Sequence, residues 1–188
     1  MILSTKKHKS LRPPTIALVI CCLLSFIRLQ SQNSDLTDSL ELSLEFENDP
    51  PTRIGTLLML ASNLENSAPE EALLYAQKAY NTAVKTDNTK ESVKAMNRLA
   101  HICWSITDFK NAMEYAENAK ELADKLNMPK ALADAYRITG LIYIELSNYE
   151  KSSEYFFKAL HLFEQLGDKE GKSQILSDIG SVNFNQYN

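Results

Sequence analysis

The chain has 188 residues and a formal charge of −4 at pH 7, a length that fits about one domain of 100–200 residues. The first thirty-one residues hold five basic side chains (Lys6, Lys7, Lys9, Arg12, Arg28) and no acidic one, so the remainder carries fifteen basic against twenty-four acidic. That balance lacks the clustered Lys and Arg a phosphate backbone demands, which excludes nucleic acid as a partner, and it offers no cationic patch for a membrane surface.

In chain order, the basic stretch at 1–14 precedes an apolar run from Thr15 to Ile27. Thirteen residues suit a secretory h-region and fall short of the roughly 20 needed to cross a bilayer. Residues 1–31 are therefore read as a signal peptide cleaved after Ser31, with a retained membrane anchor as the alternative, and the mature protein as exported, periplasmic or extracytoplasmic and membrane-associated. Cys21 and Cys22 lie in mid-run behind Leu18-Val19-Ile20, with no small residue beside them, so acylation is not expected. Loss of the signal leaves Cys103 alone, which rules out a disulfide framework and predicts a small buried hydrophobe.

Residues 32–51 form a short capping helix and a linker. Leu36, Leu40 and Leu44 recur every four residues and predict an amphipathic helix from Asp35 to about Phe46 that covers the end of the first repeat. Asn48-Asp49-Pro50-Pro51 stops it. Five glycines and six prolines leave few places to punctuate a sheet, and strong helix formers dominate from residue 53, so the body at 52–188 is predicted to be all-α.

The body repeats itself every forty residues without a gap: Leu60, Ala100, Gly140 and Gly180 fall in one column, and Ala79, Ala119 and Ala159 in another. Such a period marks a solenoid. The units are 53–92, 93–132 and 133–172, with a partial one at 173–188. Their helices are predicted at Thr52–Glu65 and Pro69–Thr86, Glu91–Ile106 and Phe109–Leu126, Lys130–Leu146 and Tyr149–Leu166, and a last one starts at Gly171 or Lys172. Ile175, Leu176, Ile179, Val182 and Phe184 on that last helix pack partly on the third unit, and the face left open predicts an apolar patch and a homodimer.

Little in the chain speaks for catalysis. His8 lies in the leading segment, His101 and Cys103 make at most half of the roughly four ligands a structural zinc needs, and His161 stands by itself. The five glycines are scattered by the repeat rather than gathered in a phosphate loop. No serine or cysteine has a base at a recognisable spacing. No catalytic, cofactor-binding or metal-binding residue is assigned, and no cofactor is expected.

The columns resemble the tetratricopeptide repeat (TPR) family in a forty-residue form. The small eighth place is filled by Ala100, Gly140 and Gly180, with Leu60 departing; the aromatic three further on by Tyr143, with Cys103 and Asn63 departing. The small twentieth place is Ala72, Ala112 and Ser152, the twenty-fourth Ala76, Ala116 and Phe156, and the twenty-seventh Ala79, Ala119 and Ala159. The resemblance implies a right-handed superhelix of about three and a half units whose first helices line a concave groove. It places Lys94, Asn97, His101, Trp104, Asp134, Arg137, Leu141 and Ile144 in that groove. Trp104 is the anchor of a bound protein or peptide on this reading, or packs between repeats. The leading segment, the phrase from Asn66 to Leu73 and the stretch Leu166-Gly167-Asp168-Lys169-Glu170-Gly171 are similar to the extracytoplasmic sensor region of bacterial TPR-containing signalling proteins, many of them sensor histidine kinases. The expected function is a non-catalytic, exported protein-binding scaffold, or the input region of a signalling receptor. The alternative is the amino-terminal piece of a histidine kinase or cyclase whose catalytic part lies beyond this chain.

Overall fold

A computed structural model describes residues 35–187; the expected signal segment, its cleavage point, Cys21 and Cys22 lie outside the described residues. The chain divides into two units, residues 1–39 and 40–188. Of the first, residues 35–39 are described and are helical, opening α1 (35–46). The second holds the rest of α1 and α2 (Pro50–Leu64), α3 (Pro69–Lys85), α4 (Thr89–Ser105), α5 (Phe109–Lys125), α6 (Pro129–Glu145), α7 (Tyr149–Leu166) and α8 (Lys169–Tyr187). No strand occurs among the described residues. Each helix of the body packs on its sequence neighbours, and α2, α4, α6 and α8 also touch in succession, so the body is an α-α solenoid.

The turns explain the regularity. Asp87, Thr107, Asn127, Ser147 and Gly167 all have a left-handed backbone, with φ between 52° and 65°, and they stand twenty residues apart. At each one the next residue's N–H reaches back to the preceding helix: Asn88 to Ala83, Asp108 to Cys103, Met128 to Ala123, Asn148 to Tyr143 and Asp168 to Phe163, at 2.8–2.9 Å. That bond closes the orphan carbonyls of the helix end. The same residue then starts the next helix. Asn88, Asp108, Asn148 and Asp168 accept from the backbone N–H three residues on, while Met128 and Ala68 have no side-chain cap and are followed by Pro129 and Pro69, whose missing donor removes one orphan.

Capping also moves two expected boundaries. α2 opens at Pro50, one residue ahead of the entry expected at Pro51 and Thr52, because Asp49 caps it by accepting from Thr52 N–H at 3.0 Å and Thr52 Oγ1 at 2.7 Å. Pro129 likewise opens α6 instead of closing a loop. Proline costs nothing where the helix has no acceptor to offer.

The second helix of each repeat presents a narrow buried face. Ala72, Ala76, Ala79 and Ala83 on α3, and Ala112, Ala116, Ala119 and Ala123 on α5, are fully buried. On α7 the same four columns hold Ser152, Phe156, Ala159 and Phe163. The two phenylalanines fit because the facing helices lose a side chain: a Cβ at Gly140 would lie 2.5 Å from Phe156, and one at Gly171 would lie 2.4 Å from Phe163. Leu44, in the part of α1 within the second unit, packs against Ile54, Leu57, Ala79, Ala83 and Ala95, and Glu41 accepts a 2.6 Å bond from the Tyr75 hydroxyl. Cys103 is buried, as expected, and burial pushes its thiol up to about 11. No helix among the described residues is long and apolar enough to cross a membrane.

Gly180 occupies the column of Gly140, yet a Cβ there would meet nothing within 4 Å. Gly140→Ala should therefore destabilise the protein by about 1–3 kcal/mol through overpacking against a ring that cannot yield. Gly180→Ala should be neutral or stabilise by up to about 1 kcal/mol through helix propensity. Urea denaturation of the two variants reads the difference; equal midpoints would refute the packing account.

Candidate functional site

The first helices of the repeats, together with the α5–α6 turn, enclose an open groove with a cavity of about 1000 Å³. Leu58 and Ser62 come from α2, Lys90, Lys94, Asn97, Arg98 and His101 from α4, Lys130, Asp134, Arg137 and Ile138 from α6, and Glu170 and Gln174 from α8. Each helix contributes residues three and four apart, and so a single stripe. Five of the eight expected groove residues meet here: Lys94, Asn97, His101, Asp134 and Arg137.

The helices that form the groove are stitched across it. Asn97 is 8% exposed; its Nδ2 donates to the Ala131 carbonyl at 2.8 Å, joining α4 to α6, and its Oδ1 is buried with no partner among the described residues. Arg137 Nε donates to Asp178 at 2.6 Å, joining α6 to α8. At the other end Arg98 Nη1 donates to Glu65 at 3.0 Å, and His101 Nδ1 touches the second oxygen of that carboxylate. Lys130 pairs with Asp168 and exposed Lys94 with Glu91.

Two carboxylates here are perturbed in opposite directions. Glu65 is only 8% exposed; burial pushes its carboxyl up, but the hydrogen bond and charge of His101, and then those of Arg98, more than offset this and hold it below its ordinary value. Asp134 is raised, because burial outweighs the charges of Lys130 and Arg137. A neutral carboxyl is thus favoured at the groove's centre relative to its end.

The other three expected groove residues sit elsewhere. Leu141 is a core residue, 5% exposed, in the cluster of Phe156, Phe163 and Ile175, and Ile144 packs against the same cluster. Trp104 is half-buried, packs against that cluster and against the one around Cys103 and Ile142, and stacks at a tilt on His101 with centroids 5.4 Å apart. Packing between repeats, the second reading of Trp104, is thus its observed setting. Sequence reasoning missed Lys90, Arg98 and Lys130, although 90, 94, 97, 98 and 101 follow the three-and-four spacing of one helix face. Glu65 left no such signal, since it caps the end of α2 outside any periodic pattern. Among the described residues no group of three His, Cys, Asp or Glu is placed to hold a metal ion.

The two carboxylates predict opposite effects on stability. Glu65 has a depressed folded pKa, so its contribution is present above about pH 4.5 and fades as pH falls through the folded value. Glu65→Gln should lower the urea midpoint at pH 7 and lose that deficit in acid. Asp134 has a raised folded pKa, so its charge opposes folding increasingly as pH rises above about 3.8, in full above the folded value and not at all below 3.8. Asp134→Asn should raise the midpoint at pH 7 and match the wild type near pH 3. Shifts of the same sign in both variants at pH 7 would refute this electrostatic picture.

Comparison with known proteins agrees with this geometry. The family model "Tetratricopeptide repeat" matches residues 93–126, which run through α4 and α5. Tetratricopeptide repeat protein 29 of Trypanosoma brucei brucei is 24% identical over 129 residues, 69% of this chain and 27% of that protein. Among solved structures, a Rap protein complexed with Competence and Sporulation Factor superposes with a TM-score of 0.73 at 19% identity, covering 84% of this chain and 45% of that one. BtubC from P. vanneervenii superposes at 0.67 and 18% identity, covering 85% and 69%. This chain thus spans about a quarter of the curated relative and under half of the Rap protein. A tetratricopeptide repeat is thus matched within the second repeat, and the helical body shares the solenoid fold of these structures.

Proposed function

We propose that this chain is a non-catalytic scaffold that holds a peptide or protein segment in the groove along α2, α4, α6 and α8. The observation that carries the reading is the cavity of about 1000 Å³ lined by four successive first helices. A groove of that kind suits an extended segment held by main-chain bonds and a few side-chain contacts. The Rap structure was solved with Competence and Sporulation Factor bound, and a bound partner on the same fold favours binding here too. Ser62 is exposed on the groove wall, so Ser62→Trp should fill the groove without touching the core. Peptides selected from a displayed random library on the wild-type protein should bind this variant at least ten-fold more weakly; undiminished binding would refute the groove as the site.

We also infer that the protein is exported by residues 1–31 and serves as the input region of a signalling receptor. The basic stretch followed by a thirteen-residue apolar run supports export. Edman sequencing of the protein from the extracytoplasmic fraction should begin at Gln32; recovery in the cytoplasm with Met1 intact would refute it.

A second copy is the proposed cover for the outer face of α8. Leu176 is 49% exposed, Gly180 faces open space, and the charge nearest them on the helix, Asp178, is held by Arg137. Two such helices can approach closely at glycine without like-charge repulsion. Sedimentation should show a dimer that Leu176→Glu dissociates; a wild-type monomer at 100-fold varied concentration would overturn this.

A further inference from the structure

We propose that the groove is selective for an extended acidic peptide, whose carboxylates meet Lys90, Lys94 and Lys130 while a main-chain amide donates to Asn97. This rests on the groove-binding reading above and adds the charge of the ligand. The body is acidic, with fifteen basic and twenty-four acidic side chains beyond residue 31. Its groove is the reverse, lined by Lys90, Lys94, Arg98, Lys130 and Arg137 against only Asp134 and Glu170. The carboxylates that pair with four of these cations (Glu91, Glu65, Asp168 and Asp178) do not line the cavity. The lining therefore holds an excess of cations, while the carboxylates that pair with four of them lie outside it.

The ion pairs of two of the three groove lysines are exchangeable. Lys94 is 53% exposed and Lys130 68%, and an ion pair in that setting is worth at most about 1 kcal/mol, so a ligand carboxylate competes on equal terms. Lys90 and Lys130 stand forty residues apart, at one place in successive repeats. The step between packed helices, about 8–10 Å, matches about three residues of extended chain at roughly 3.3 Å each. Asn97, about two helical turns on from Lys90 and bonded to the carbonyl of Ala131 beside Lys130, has a buried Oδ1 with no donor among the described residues. A buried acceptor without a donor is costly, and a backbone N–H of an extended ligand relieves it. Asp134 discourages a carboxylate at the centre, so the acidic side chains belong on either side of it.

The test uses the full-length chain and a random library of twelve-residue peptides displayed through their carboxyl ends, so that no free terminal carboxylate contributes. Enrichment should shift the mean peptide charge by at least two negative units relative to the input. The variant K90E/K94E/K130E, confirmed as folded by circular dichroism, should lose or reverse the shift, and K90Q/K94Q/K130Q should reduce it. Tight binders should weaken at least ten-fold between 50 and 300 mM salt. Enrichment without acidic bias that Ser62→Trp abolishes would overturn the charge selectivity and leave the groove reading standing. An acidic bias that survives the triple reversal would also overturn it. Enrichment no greater than on Ser62→Trp would overturn the groove reading and this inference together.

Discussion

The structure depends on how closely paired helices can approach, and that distance is set by volume exchange at the crossings. On α3 and α5 every buried position of the contact face is alanine, which lets a partner backbone come within about 8–10 Å. Ala100 and Ala116 share one cluster at the second crossing, Gly140 faces Phe156 at the third, and the same two columns hold Leu60 and Ala76 in the first repeat. Between the first and third column pairs side-chain volume moves from one helix to the other at a similar sum, an exchange that packed interiors tolerate well, while the second, of two alanines, is smaller. Fully buried Phe156 and Phe163 are admitted only because Gly140 and Gly171 give up a methyl.

The second constraint is the turn. A left-handed residue every twenty positions ends one helix and hands the next residue to the following helix as its start. Four of the five are not glycine, and each such residue opposes a local preference of roughly 1–2 kcal/mol. Asp and Asn tolerate that backbone best; Thr107, β-branched, tolerates it least. The strain persists because the backbone bond beside it, such as Asp108 N–H to the Cys103 carbonyl at 2.8 Å, closes the helix end, and packing on both sides leaves the chain no other course. Identical turns at identical intervals bring every first helix to the same side, and the groove follows from that repetition.

This also explains what could be read from the residues alone. Small side chains at fixed intervals carry the crossing geometry directly, so the period, the helices and the buried alanines were legible. The prolines misled, since Pro50 and Pro129 read as breaks although Asp49 and the end of α5 make them helix starts. Groove residues were half legible. Those on the central stripe of α4 and α6 follow from register, but Leu141 and Ile144 lie where the stripe turns into the core of repeat three. Glu65 was illegible because it lies past the apolar stripe of α2, in a turn that departs from the later ones: Ser67 is not left-handed where Thr107 and Ser147 are.

Those cross-links decide what kind of surface the groove is. Repeats that touch only their neighbours flex as a chain of joints. Here the first helices are tied one repeat apart by Glu65 to Arg98 and His101, by Asn97 to Ala131 and by Arg137 to Asp178. The ties draw on groups of the groove wall, the Asn97 amide and the Arg137 guanidinium among them. The cost of ordering the wall is thereby met during folding rather than on binding, and a preorganised wall spends less of its contact energy on ordering when it binds. Every tie ends on α4 or α6, the two helices that carry all five cations of the groove, so the same bonds also fix where Arg98 and Arg137 stand.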